Sequence, residues 1–162
     1  MAAHKLVACT ALLGLLALAD ALSVRQCPGK SIANLENNVD VVGCNKTPCR
    51  LIKGKDQYVN LKFVPENNYK NIKNHVTADL GLGIPVPFVG VDGNSICDKL
   101  YSEDGQKESC PVTAGRTYVY KDSFPVYEVY PELEVTVHWA IQSNEHDLTC
   151  FELPARIKNK KS

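Results

Sequence analysis

The segment Leu133-Glu134-Val135-Thr136-Val137-His138-Trp139 puts an apolar residue on every odd position and a polar one on every even position. Successive side chains of a β-strand point to opposite faces, so this pattern buries one face and wets the other. The same period of two recurs along the chain. Val39 and Val41 flank Asp40, and Val59, Leu61 and Phe63 alternate with Tyr58, Asn60 and Lys62. Tyr118 and Tyr120 flank Val119, while Phe151 and Leu153 open a last run that extends to Ala155 and Ile157. Val76, Ala78, Leu80, Leu82, Ile84, Val86 and Phe88 also share one parity, interrupted by Gly81, Gly83 and two prolines. Turn clusters separate these runs, among them Asn67-Asn68, Asp92-Gly93-Asn94, Glu103-Asp104-Gly105 and Ser143-Asn144-Glu145-His146-Asp147. No segment reads as a convincing amphipathic helix. The chain is expected to form an all-β, immunoglobulin-like sandwich of two antiparallel sheets.

The N-terminal stretch predicts where this sandwich is made. Lys5 precedes a nearly unbroken apolar run from Leu6 to Leu18, and Ala19-Asp20-Ala21 offers small residues for cleavage. Residues 1–22 therefore read as a secretory signal peptide, leaving one domain over 23–162. Removing the signal takes away one base, Lys5, and one acid, Asp20, so the remainder keeps the zero net charge of the whole. Nothing in that balance steers the protein to nucleic acid. Cys9 leaves with the signal, and Cys27, Cys44, Cys49, Cys97, Cys110 and Cys150 remain. An even count in a secreted chain implies three disulfides, and six cysteines allow 15 pairings. Proximity along the chain favours Cys44–Cys49 and Cys97–Cys110, with Cys27–Cys150 left to join the two ends.

Leu82-Gly83-Ile84-Pro85-Val86-Pro87-Phe88-Val89 is oily yet carries two prolines one residue apart. A helix interior or a central strand would lose a backbone hydrogen bond at each. The segment is therefore expected on a sheet edge, with Val86 and Phe88 on one face and the prolines blocking further strand addition.

Motifs for catalysis are missing. The sequence holds no GxSxG, no HExxH and no phosphate-cradling glycine loop. No CxxC occurs, and His75, His138 and His146 stand apart, so neither metal nor cofactor is expected. His146 falls in a polar turn, and His138 on the wet parity of its strand. The basic run Arg156-Ile157-Lys158-Asn159-Lys160-Lys161 reads as a solvated C-terminal fray. Asn45-Lys46-Thr47 is a glycosylation sequon inside the small loop between Cys44 and Cys49.

The order of the six cysteines resembles one family, and several short motifs match with it. These are Gly83-Ile84-Pro85-Val86-Pro87-Phe88, Asp92 ahead of Cys97, Phe124-Pro125-Val126, Tyr130-Pro131 and Val137-His138-Trp139. The family is the ML (MD-2-related lipid-recognition) family, and the resemblance runs from Cys27 to about Ile157. It implies a secreted or endolysosomal, non-enzymatic lipid carrier whose two sheets splay to hold a sterol, a fatty acid or another apolar lipid; the alternative is an innate-immune lipid-recognition module. It implies the same three disulfides that proximity favours. Delivery to a membrane surface or a membrane-protein acceptor follows from the same resemblance; a monomer is the default. Carried over by position, the mouth would be lined by Val86, Phe88, Val126, Tyr130 and Pro131. The interior would be lined by Val59, Leu61, Phe63, Leu133, Val135, Val137, Trp139, Phe151 and Leu153. Lys53 and Asp92 match charged positions near the pocket end. Phe151 and Gln57 depart from the vertebrate pattern, which has tryptophan and tyrosine there.

Overall fold

The computed structural model describes residues 24–81 and 83–160. The expected signal peptide, Leu82 and the last basic residue, Lys161, lie outside the described residues. Within them the elements follow as β1 (Arg25–Gln26), α1 (Leu35–Asn38), β2 (Val39–Val41), β3 (Cys49–Ile52), β4 (Lys55–Phe63), β5 (Lys73–Asp79), β6 (Pro85–Pro87), β7 (Leu100–Tyr101), β8 (Lys107–Glu108), β9 (Tyr118–Val126), β10 (Glu134–Ser143) and β11 (His146–Lys158). The expected sandwich forms: one sheet is ordered β1-β11-β10-β5-β6 with β3 also on β11, and the other β2-β4-β9-β7-β8. One ladder differs from the all-antiparallel expectation, because β3 runs parallel to β11, from Cys49 opposite Ala155 to Ile52 opposite Lys158. The expected C-terminal fray is corrected by the same pairing. Arg156 to Lys158 continue β11, and Ile157 is buried.

Alternation sets the core. Val135, Val137, Trp139 and Ile141 of β10 are buried, as are Val59, Leu61 and Phe63 of β4 and Tyr118, Tyr120, Phe124 and Val126 of β9. Each such side chain contributes roughly 1.5–3 kcal/mol by leaving water, before chain entropy. The longest shared-parity run does not stay inward. β5 ends at Asp79, and the chain reverses through Gly81 and Gly83, whose φ values of 79° and 70° lie in the left-handed region open to glycine. Ile84 is thereby left 71% exposed.

All three expected disulfides are present. Cys27–Cys150 joins β1 to β11, Cys44–Cys49 closes the loop before β3, and Cys97–Cys110 lies beside β7 and β8, with Cα separations of 6.0, 5.0 and 5.0 Å. A polar chain also crosses the core. Trp139 Nε1 donates to Asn74 Oδ1 at 3.2 Å, Asn74 Nδ2 donates to the Tyr120 hydroxyl at 2.7 Å, and that hydroxyl donates to Asp122 at 2.6 Å. Lys99 closes the chain on Asp122 at 2.7 Å.

Candidate functional site

The proline segment forms the free edge of its sheet. Val86 sits opposite Ala78 and Pro87 opposite Thr77, and Phe88 N–H donates to the Val76 carbonyl at 2.8 Å. Even-numbered residues therefore turn their N–H toward β5, and odd-numbered ones turn outward. Pro85 and Pro87 occupy outward positions, so the donors that the free edge would offer another strand are missing.

Behind this edge the sandwich holds a small apolar pocket of about 150 Å³. Val86, Phe88, Tyr130, Pro131, Leu133 and Val135 line it, all of them expected at the site. Ala78, Leu80, Pro87, Val89 and Ile157 line it too. Of these, Ala78, Leu80 and Ile157 carry the alternation signal, whereas Val89 has no periodic signal at all. Tyr130 contributes the one polar side-chain group among the lining residues. Burial, with a smaller effect from neighbouring Tyr127, pushes its phenol pKa up, so it stays neutral and can only offer or accept a hydrogen bond. A ring relay runs inward from the rim. Tyr127 meets Tyr130 at 5.6 Å, Tyr130 meets Phe88 at 5.8 Å, Phe88 meets Phe124 at 5.2 Å, and Phe124 meets Trp139 at 5.4 Å. The first three contacts are edge-to-face and the last is tilted; edge-to-face packing adds about 0.5–1.5 kcal/mol per pair beyond area burial.

The remaining expected site residues are placed differently. Val59, Leu61, Val137, Trp139, Phe151 and Leu153 are sealed in the core. Phe151 stacks on Trp139 with centroids 6.2 Å apart, and the two rings fill space between the sheets. The apolar pocket at the proline edge thus lies at one end of the sandwich. Val126 is buried and does not line the pocket, and Phe63 lines a separate groove with Ile32, Leu148 and Thr117. Gln57 is half-buried, with its amide donated to the Val42 carbonyl. Asp92 is not a free charge: it accepts from the Val76 N–H at 2.8 Å and lies 3.2 Å from His75 Nδ1. Asn45 is exposed.

Exposed apolar residues also crowd the pocket's rim, Val89 within its lining and Ile84 and Val129 beyond it. Ile84, Val89 and Val129 are 71%, 62% and 85% exposed. A soluble chain keeps so much oil in water chiefly where something docks. The pocket lining can hold and desolvate an apolar guest; it offers no group with which to activate a nucleophile.

Comparison with known proteins agrees with this fold. A family model for the ML domain matches residues 21–157. The chain is 32% identical over 146 residues to NPC intracellular cholesterol transporter 2 of Sus scrofa, covering 88% of this chain and 89% of that protein. It is 30% identical over 116 residues to the ecdysteroid-regulated 16 kDa protein of Manduca sexta, covering 70% and 72%. Among solved structures, a Niemann-Pick type C2 protein from the Japanese carpenter ant superposes with a TM-score of 0.64 at 27% identity, over 75% of this chain and 89% of that one. With its sheet order, its three disulfides and a family match across nearly the whole domain, this chain belongs to the ML domain family.

Proposed function

We propose that this protein is a secreted or endolysosomal carrier, not an enzyme, that takes one apolar lipid through the mouth beside β6. A sterol is the first candidate. The observation that carries the reading is the apolar pocket at the proline edge, opening between rings rather than between charges. The name of the Sus scrofa relative supports a sterol as cargo. Burying ~400 Å² of apolar ligand surface would yield on the order of 10 kcal/mol before association costs. The exposed apolar rim would meet the membrane surface or membrane-protein acceptor. Asn45, exposed in its sequon, is proposed as a glycan site.

Ligand pockets of this kind usually measure roughly 300–1,000 Å³. The pocket here is smaller, so a sterol requires the mouth to widen by displacement of Phe88 and Tyr130. A second reading follows from the same volume: a single fatty-acyl chain is slimmer than a sterol nucleus and needs less opening. Native mass spectrometry of gently purified protein, followed by competition between a fluorescent sterol and a fluorescent fatty acid, separates the two. Sterol carriage predicts displacement by sterol at near-stoichiometric amounts. Absence of bound lipid and of displacement by either probe would defeat both readings.

A further inference from the structure

The three histidines beyond the expected signal peptide do not all stay apart in the fold. His75 on β5 and His138 on β10 face the same outer side of their sheet, with ring centroids 6.2 Å apart. They are diagonal neighbours, because His138 pairs with Thr77 and His75 with Ala140. Each ring is anchored through Nδ1. His75 Nδ1 lies 3.2 Å from the Asp92 carboxylate, and His138 Nδ1 lies 3.7 Å from Cys27 Sγ. A carboxylate accepts only, and so does a disulfide sulfur. Both anchors therefore favour the tautomer with the proton on Nδ1, which leaves the Nε2 lone pair of each ring available. A carboxylate behind the distal nitrogen is also how metal-binding histidines are commonly oriented.

The surroundings suit a cation. His75 and His138 line an open groove together with Arg25, Asp79, Glu152 and Thr136. Asp79, Glu152 and the supporting Asp92 outweigh Arg25, so the groove is net negative while the imidazoles are neutral. Glu152 sits directly across the strand from His138. His75 and Asp92 remain accessible, with side chains 40% and 26% exposed. The nearby cluster of Cys27, His138 and Cys150 is a poorer candidate, because its sulfurs are joined to each other and supply no thiolate.

We propose that this outer face binds a divalent transition-metal ion of the zinc class, through His75 Nε2 and His138 Nε2 with Glu152 as a carboxylate ligand. The two imidazole donors select such ions over calcium or magnesium, and the carboxylate adds negative charge. Binding requires both side chains to turn until their Nε2 atoms reach the usual zinc–nitrogen distance of ~2.0–2.1 Å. The site lies on the outside of the sheet, so its occupancy is independent of the lipid reading.

Calorimetric titration of zinc chloride into untagged, disulfide-intact protein tests this. One saturable equivalent is expected. His75→Asn and His138→Asn should each weaken binding at least about tenfold, Asp92→Asn by roughly 10–100-fold through loss of ring orientation, and His146→Asn not at all. Cobalt titrated into the wild type should broaden the NMR signals around His75, Thr77 and His138 while sparing those at His146, which keeps the test valid if a variant misfolds. Lack of saturable zinc binding, affinity unchanged by both His75→Asn and His138→Asn, or cobalt broadening centred on His146 would overturn the proposal.

Discussion

The side-chain amide of Asn74, on β5, donates to the hydroxyl of Tyr120, on β9 in the facing sheet, across 2.7 Å of fully buried space. Trp139 uses the same amide as its acceptor, and Asp122 uses the same hydroxyl as its donor. The two sheets are thus latched by direction-dependent bonds at mid-height and by apolar contact at the mouth.

Removing the latch should be costly. Asn74→Ala strands the Trp139 N–H and removes a donor from Tyr120, and each buried group left unpaired costs about 1–3 kcal/mol. Urea denaturation should show a lower midpoint with an unchanged slope. A midpoint equal to that of the wild type would show that Asn74 carries no such load.

Tyr120 should also set an alkaline limit. Burial, and then its hydrogen bond to Asp122, push its phenol far above the ordinary value of about 10. The folded state holds this proton where the unfolded chain releases it. Stability from this group is therefore fully present below about pH 10 and is lost as pH rises further. A near-ultraviolet titration should show one tyrosine that ionises only on unfolding.

Much of this architecture is legible from residues alone. Strict alternation places Val135, Val137 and Trp139 inward, and the paired prolines mark β6 as an edge. The extent of the pocket is less legible. Val59 and Val86 carry the same apolar, in-phase signal, yet one is sealed and the other rims the mouth. Periodicity reports which face a side chain takes; it is silent on how far apart two faces stand. Phe124 and Tyr120 decide that distance by filling it, and they lie in a strand whose alternation is broken by Asp122 and Pro125. The His75 and His138 pairing is invisible for another reason: it depends on strand register between segments far apart in the chain.

Two substitutions at the mouth should part company. Phe88 is nearly buried against Phe124 and Tyr130, so Phe88→Ala should cost about 3–5 kcal/mol as well as weaken lipid binding. Val86 is 41% exposed, so Val86→Asp should shift stability by no more than about 0.5 kcal/mol. It should nevertheless lower lipid affinity by placing a carboxylate in the entrance. Thermal unfolding and fluorescent-lipid titration of both variants check the contrast.

The sheet edge should lose its protection when the prolines go. Pro85→Thr with Pro87→Thr restores two outward N–H donors beside exposed Ile84 and Val89. Light scattering on concentrated protein should reveal more self-association in the variant than in the wild type.

Cys27→Ala with Cys150→Ala should release a tie between segments 123 residues apart. The chain-entropy model puts the loss at about 4–5 kcal/mol. A guanidinium melt of the variant against the wild type measures it.

None of the three disulfides bridges Phe88 to the residues it touches across the entrance. That closure is ring against ring, with Phe88 set on Phe124 and Tyr130. For the proposed carrier, loading and unloading by this route part aromatic surfaces, with no bond to reduce and none to reform. Traffic through such a doorway needs no reductant, and the covalent frame stays intact through every cycle of exchange.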